Sequence, residues 1–428
     1  MAQIARFHVK AIALFGCQQI AEGVPVNNAT PTGTITTTAA SATVTGVGTL
    51  FQTEVALYSY MYNAAGDAII GQVVAIASNT SLTLDAVVPA SPVAQSEGVQ
   101  AVSGAITGAA YTLGLGPKNA IAGLNVNFDA EYASESYQYT GDELSRDEIT
   151  FITDVFAKFD FETVLPTRGD MAGAASTELE IPLADWYQGC GMALVLETGG
   201  YSITNALASD TFMTVEVRRS SPGLVSLNQQ KVYICNDARG SIDLDGIVGS
   251  KPKLKFNMMG NLGAIVQKMT LVPNFRNMKF DVSPALKSST IILSALDEYT
   301  SSSVPAVSGA SNFAFNKYTG ANASGWAYNR YLLSDIDGWS KGGTPTDFTV
   351  TIVEDSAAAA LDPYAKVETD FLFTLKYANK KVAPTAGKKI DISYKKVKLV
   401  KVAKSSVADF SGLDLGFRNV DSTTIKWY

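Results

Sequence analysis

The sequence predicts a mainly-β protein with a minor helical share: a β-sandwich or barrel with a flanking helix, duplicated along the chain, plus an inserted all-β module. Three observations carry that expectation. Several stretches alternate apolar and polar residues with a period of two. Short β-branched runs recur between Gly, Asn, Asp and Ser turns at about the 8–12-residue spacing of small sandwiches. Charged residues make up only 17% of the chain, and Ser, Thr, Gly and Ala fill the difference, which suits close-packed strands.

Taken in order, residues 1–26 read as an N-terminal arm. Arg6 and Lys10 precede an apolar patch too short for a signal peptide. Residues 27–108 read as the inserted all-β module, because no Lys or Arg occurs between Lys10 and Lys118 and the runs "GTITTTAASATVTGVGTLFQTEV" and "GDAIIGQVVAIASNTSLTLDAVVP" are strand-like. Its flanks, "NNATPTG" and "VSGAITGAA", have linker composition.

Residues 109–279 form the first of two similar domains. In "DVFAKFDFETV" Val155, Ala157, Phe159 and Phe161 take one face, and Lys158, Asp160 and Glu162 the other. Met213, Val215 and Val217 alternate in the same way, as do Leu254, Phe256 and Met258. Between the first two of these strands, "PLADWYQGCGMAL" breaks the pattern. Leu183, Trp186, Tyr187, Cys190 and Leu194 recur at helical spacing, so a helix of about three turns is expected, with Asp185 favoured in its first turn.

Residues 280–428 repeat the plan. Phe348, Val350 and Ile352 alternate, a helix-compatible "SAAAALDPYAKV" follows, and Phe371, Phe373, Leu375 and Tyr377 alternate again.

Length, charge and cysteine usage then narrow the function. A chain of 428 residues exceeds one average domain, and 46% hydrophobic residues suffice for a packed core. A net charge of −7 disfavours proteins that grip a phosphate backbone. Cys17, Cys190 and Cys235 have no metal-ligand spacing and form no disulfide framework. No apolar run approaches the ~18 residues of a membrane helix.

Catalytic constellations are sparse. His8 is the only histidine, and nothing beside it resembles a nucleophile elbow. Cys190 has no basic neighbour in sequence, so a buried hydrophobe is the expectation for it and not a nucleophile. "LGLGP" lacks the following helix and lysine of a phosphate loop. No cofactor and no enzymatic activity are expected.

Two charge clusters oppose each other. Asp129, Glu131, Glu135, Asp142, Glu143, Asp147 and Glu148 surround a single Arg146, and a polar loop is expected near 137–150. Ten lysines lie between Lys376 and Lys404 around a single Asp391. The ribbon reads either as protected strand edges or as an intersubunit contact with the acidic stretch. Asp142, Glu143, Asp147, Glu148, Lys395, Lys396 and Lys398 are the candidate contact residues.

The order of features resembles the tail tube (major tail) proteins of long-tailed bacteriophages. An alternating strand comes first, then a Gly-rich turn, then "DWYQGCGM", then "KVYICNDARGSIDLDGIVGSKPKLKFNMMGNL". Trp186, Cys190, Gly191, Arg239, Gly240 and Gly260 match the family's aromatic-Leu-x-x-Cys-Gly helix, its ArgGly turn and the glycine closing the next strand. The match covers 9–26 and 120–428, and "WYQGCGM" lacks the leucine pair and arginine common in that helix. Residues 27–108 are similar to small β-domains that decorate phage tails.

The resemblance implies a tail-tube-type β-sandwich with a flanking helix packed through Trp186 and Cys190. It implies rings stacked into a hollow tube that conducts the genome, assembled in the host cytoplasm and resident in the virion tail. Its partners would be copies of itself, the tape-measure protein and DNA in the lumen, and the terminator and tail-tip proteins; no membrane is involved. Two tube domains per chain favour a trimeric ring over a hexameric one. Asp160 and Glu162 are the candidate lumen residues. Competing readings are another virion part, such as a tail terminator or capsid decoration, and a secreted β-rich adhesin or carbohydrate-binding protein.

Overall fold

The computed structural model describes residues 12–93, 101–140, 146–166, 183–197, 200–205, 211–219, 229–247, 250–274, 290–296, 307–313, 315–320, 326–328, 339–341, 347–354, 362–378, 389–407, 409–420 and 423–427. The protein is mainly β, with antiparallel sheets and two short α-helices among these residues.

The strands run as follows in chain order: β1 (Ile12–Gln18), β2 (Thr34–Thr37), β3 (Thr43–Val47), β4 (Tyr60–Asn63), β5 (Ile69–Ser78), β6 (Ser81–Leu84), β7 (Tyr111–Gly114), β8 (Ala120–Ile121), β9 (Leu124–Thr140) and β10 (Arg146–Val164). Next come β11 (Met192–Glu197), β12 (Gly200–Asn205), β13 (Met213–Arg219), β14 (Gln229–Ile247), β15 (Lys253–Met269), β16 (Thr290–Leu296), β17 (Val307–Phe313) and β18 (Phe315–Gly320). The last are β19 (Trp326–Tyr328), β20 (Trp339–Lys341), β21 (Asp347–Val353), β22 (Asp370–Ala378), β23 (Lys389–Val407), β24 (Phe410–Asn419) and β25 (Thr423–Trp427). The helices are α1 (Phe51–Glu54) and α2 (Ala184–Gly189).

The chain divides into two compact units. One takes Met1–Phe161, Thr211–Arg239 and Asn257–Phe275; the other takes Glu162–Asp210, Gly240–Phe256 and Arg276–Tyr428.

In the first unit, β1 pairs antiparallel with β13, from Ile12 opposite Arg219 to Gln18 opposite Met213. A separate six-stranded sheet has the order β2-β3-β6-β5-β4-β7. Its short strands alternate as a one-sided sheet requires: Ile35 and Thr37 of β2 are buried, as are Leu82 and Leu84 of β6, while their neighbours are partly exposed. They enclose a core of Ile35, Val44, Phe51, Met61, Val73, Leu82 and Tyr111, with the Phe51 ring edge-on to Tyr111 at 6.1 Å.

In the second unit, β23 is central to the pairing. It lies antiparallel to β22, β24 and β25, and β24 continues to β21. Phe348, Phe371, Phe373, Tyr394 and Phe417 pack on one face, with Phe348 stacked on Tyr394 at 4.9 Å. The alternation read in 347–353 and 371–375 is this face: Phe348, Val350, Ile352, Phe371, Phe373 and Leu375 are all buried. Leu254 and Phe256 are likewise buried, and so is Met258, which belongs to the first unit; each is next to a more exposed residue.

Three sequence expectations change. The helix over 183–194 is half the expected length, because Gly191 takes φ +79° and ends it, so that Leu194 falls in β11. The loop expected near 137–150 is instead the ends of β9 and β10, with 141–145 outside the described residues. Tyr137 and Tyr139 alternate with Gln138 and Thr140, a period of two that the polar composition concealed. In "SAAAALDPYAKV" a 3-10 turn covers Pro363–Lys366, and 355–361 lie outside the described residues.

Candidate functional site

α2 is a short plug in the second unit. Leu183 precedes it in a left-handed conformation (φ +63°), which turns the chain sharply into the helix. Five of its six residues are buried, Asp185 being the exception. Trp186 stands edge-on to the Phe256 ring at 6.1 Å, and Tyr187 meets the same ring at 6.2 Å. Cys190 is fully buried where the helix ends. Burial pushes its thiol well above the ordinary cysteine range, and the nearby Asp243 carboxylate adds to that. A thiol held protonated is packing material and a poor nucleophile. Cys235 is raised for the same reasons, with Asp237 as its acidic neighbour.

The other matched positions have physical reasons of their own. A Cβ on Gly260 would stand 2.8 Å from both the Ala238 Cα and the Cys235 Sγ and would meet the Asn236 carbonyl, so β15 can approach β14 there only without a side chain. The turn expected at Arg239–Gly240 is instead the interior of β14, which absorbs its irregularity at Asp237 (φ +51°) and runs on, and Gly260, expected to close the next strand, lies inside β15. Arg239 is buried with its guanidinium 3.5 Å from the centre of the Phe212 ring.

The candidate contact lysines lie on β23. Lys396 pairs with Asp370 at 2.9 Å and Lys398 with Glu368 at 3.3 Å, while Lys395 is exposed. β24 adds Arg418, which donates from Nε and Nη2 to the two Asp347 oxygens at 2.8 and 3.2 Å. The hydrogen bond from Arg418 holds the Asp347 carboxyl below its ordinary range, against a smaller opposing effect of burial. Asp147 and Glu148 fall on β10, where only the backbone is described, and Asp142 and Glu143 lie outside the described residues. Asp160 accepts a hydrogen bond from Asn127 at 3.3 Å, and Glu162 pairs with Lys253 at 3.0 Å.

Sequence reasoning missed a buried ion cluster in the first unit. The alternation in β13 assigns Met213, Val215 and Val217 to a core and leaves Glu216 and Arg218 facing outward. Both faces of the strand are buried: Glu216 is 0% exposed and Arg218 2%. Arg218 donates from Nε to Glu216 Oε2 at 2.7 Å, and Lys268 of β15 donates to Glu216 Oε1 at 2.6 Å. The Arg218 guanidinium also lies 5.1 Å from the Phe15 ring centre. Burial alone would raise the Glu216 pKa; the two cations and their hydrogen bonds outweigh it and hold the group below the ordinary glutamate range. No motif marks this cluster, since Lys268 is 50 residues downstream of Arg218. The paired charges of "VEVR" on a strand with a full apolar face were the available hint.

Among the described residues, no group of three or more His, Cys, Asp and Glu is placed to hold a metal ion. No helix among them is long and apolar enough to cross a membrane. No protein-family model and no curated protein matches the chain.

Proposed function

We propose that this protein is a structural virion component that stacks as rings into the tail tube of a long-tailed bacteriophage, the conduit for genome ejection. One observation carries the reading: the ordered set β10, α2, Arg239–Gly240 and Gly260. Three of the matched residues have packing roles that suit such a scaffold, while Arg239–Gly240 lies inside β14 and not in a turn. Trp186 and Cys190 are buried in the plug, and Gly260 is required by close backbone approach.

The mainly-β build supports the same reading. Sheet edges are an aggregation hazard unless they are paired or protected, and a ring pairs them with neighbouring subunits by a heterologous contact that closes under rotation. The net charge of −7 suits a conduit that DNA slides through without adhering. Asp160 and Glu162 are the proposed lumen carboxylates, trimers the proposed rings, and the tape-measure, terminator and tail-tip proteins the proposed partners.

Negative-stain microscopy of the purified full chain tests the proposal. Hollow rods or stacked rings are the expected result. A chain that stays solitary at high concentration overturns it.

A further inference from the structure

The Glu216 cluster forms one wall of a half-open cleft of about 750 Å³ within the first unit. One side is lined by β4, β7 and the turn after β4, including Tyr62, Ala64, Ala65 and Leu113; the other by β15 and the segment after it, including Val266, Lys268 and Leu271. The cleft walls mix polar groups with apolar side chains such as Leu113, Val266 and Leu271. The floor holds two cations, the buried Arg218 and the partly exposed Lys268, both paired with the Glu216 carboxylate. Asp67 is the one acidic residue lining the cleft, and it is exposed and bonded to Asn63.

Lys268 is the group that reaches outward. Its ammonium has three donors. One goes to Glu216 and one to the Asn27 side-chain oxygen at 3.2 Å, and no third partner is present among the described residues. Its side chain is 29% exposed, unlike those of its two ionic neighbours. Because an ammonium can only donate, it fixes the Asn27 amide with its oxygen towards Lys268. The Asn27 Nδ2 is then a buried donor with no partner. Two unused donors, one of them on an ammonium, set beside the apolar side chains of Leu113, Val266 and Leu271, describe a receptor for an anion that carries a short hydrocarbon stem.

We infer that this cleft binds a carboxylate on a short apolar stem, with Lys268 as its ionic partner and Asn27 as a second donor. Two sources share that chemistry: a free small carboxylate, or an acidic side chain of a second copy of this chain. The site stands whether or not the chain builds a tube.

Butyrate and its uncharged isostere butyramide are the probes, titrated into the full-length protein and followed by ligand-observed NMR. Saturable butyrate binding is expected, with butyramide about tenfold weaker, the ratio a charge-assisted hydrogen bond supplies. Lys268→Met should weaken butyrate by a similar factor. Asn27→Asp provides the second variant: it places a carboxylate beside Lys268 within the chain, and butyrate binding should be lost while the fold is kept. Equal binding of the two probes, or undiminished butyrate binding to either variant, overturns the assignment. Self-association measured with saturating butyrate and with butyramide then separates the sources. Weakening by butyrate alone assigns the site to a second copy's carboxylate, and unchanged association assigns it to a free one.

Discussion

Glu216, Arg218 and Lys268 in the first unit use the same chemistry as Lys396–Asp370, Lys398–Glu368 and Arg418–Asp347 in the second, with opposite consequences. The first set surrounds a carboxylate with no solvent exposure. In the second set side-chain exposures run from 29% to 66%. A buried charge has given up its water, so each partner is indispensable to the other. An exposed pair competes with water and salt at every moment, and its net worth is small. The buried pairs are also the shorter ones, 2.5–2.6 Å against 2.8–3.3 Å, but all are within contact range and burial makes the larger difference.

The largest expected effect comes from breaking the buried cluster. Glu216→Ala leaves Arg218 desolvated without its carboxylate and should cost about 3–5 kcal/mol, read from urea or thermal unfolding. Trp186→Ala supplies an apolar yardstick of about 3–5 kcal/mol for loss of a buried ring. If Glu216→Ala costs less than a tenth of the Trp186 value, the cluster is hydrated and the contrast between the regions fails. Replacing Glu216, Arg218 and Lys268 together by Leu, Met and Met should be neutral or stabilising by about 1–4 kcal/mol. That result would show that the cluster costs more than it returns in stability and is retained for another reason, such as the carboxylate cleft.

A pH titration sharpens the contrast at intermediate magnitude. The folded-state pKa of Glu216 lies below its ordinary value of 4.5. The unfolded state therefore binds the proton more readily, and the cluster's contribution is fully present above the ordinary glutamate range. It should decline as pH falls below 4.5 and vanish once pH passes under the folded-state value. Glu216→Gln should flatten that part of the stability profile. An unchanged acid limb in Glu216→Gln would remove Glu216 as its source.

How much of this was legible in the sequence depends on which physical signal each part uses. Period-two alternation is a local signal, and it gave the buried faces of 157–161, 253–259, 347–353 and 371–375. It could not report that β13 is covered on both sides, because the second cover comes from elements far away in the chain. The same limit hid Lys268 and the cleft. The helix at α2 was visible in the spacing of Trp186, Tyr187 and Cys190. Its length was misjudged because Leu194 continues the period by coincidence, while Gly191 ends the helix by adopting a positive φ. Polar composition suggested a loop near 137–150, although Tyr137 and Tyr139 already alternate with Gln138 and Thr140 as a strand does. Composition reports solvent preference; periodicity reports geometry, and where they disagreed geometry won.

The smallest effects belong to the exposed pairs, and they separate folding from assembly. Glu368→Ala removes the partner of Lys398 at a site where the carboxylate is 66% exposed, so unfolding should change by about 0–1 kcal/mol and by nothing detectable in high salt. Lys395→Glu is cleaner still, because Lys395 is exposed and makes no ion pair among the described residues. Its charge reversal should leave the unfolding midpoint within error. If the lysine ribbon meets an acidic surface of another copy, the same substitution should slow assembly at low ionic strength, and the difference should fade as the screening length drops to about 8 Å near physiological salt. Assembly rates indistinguishable from the parent at every salt concentration would mean that Lys395 only guards a strand against unwanted pairing, and that the exposed charges of the second unit act on solubility alone.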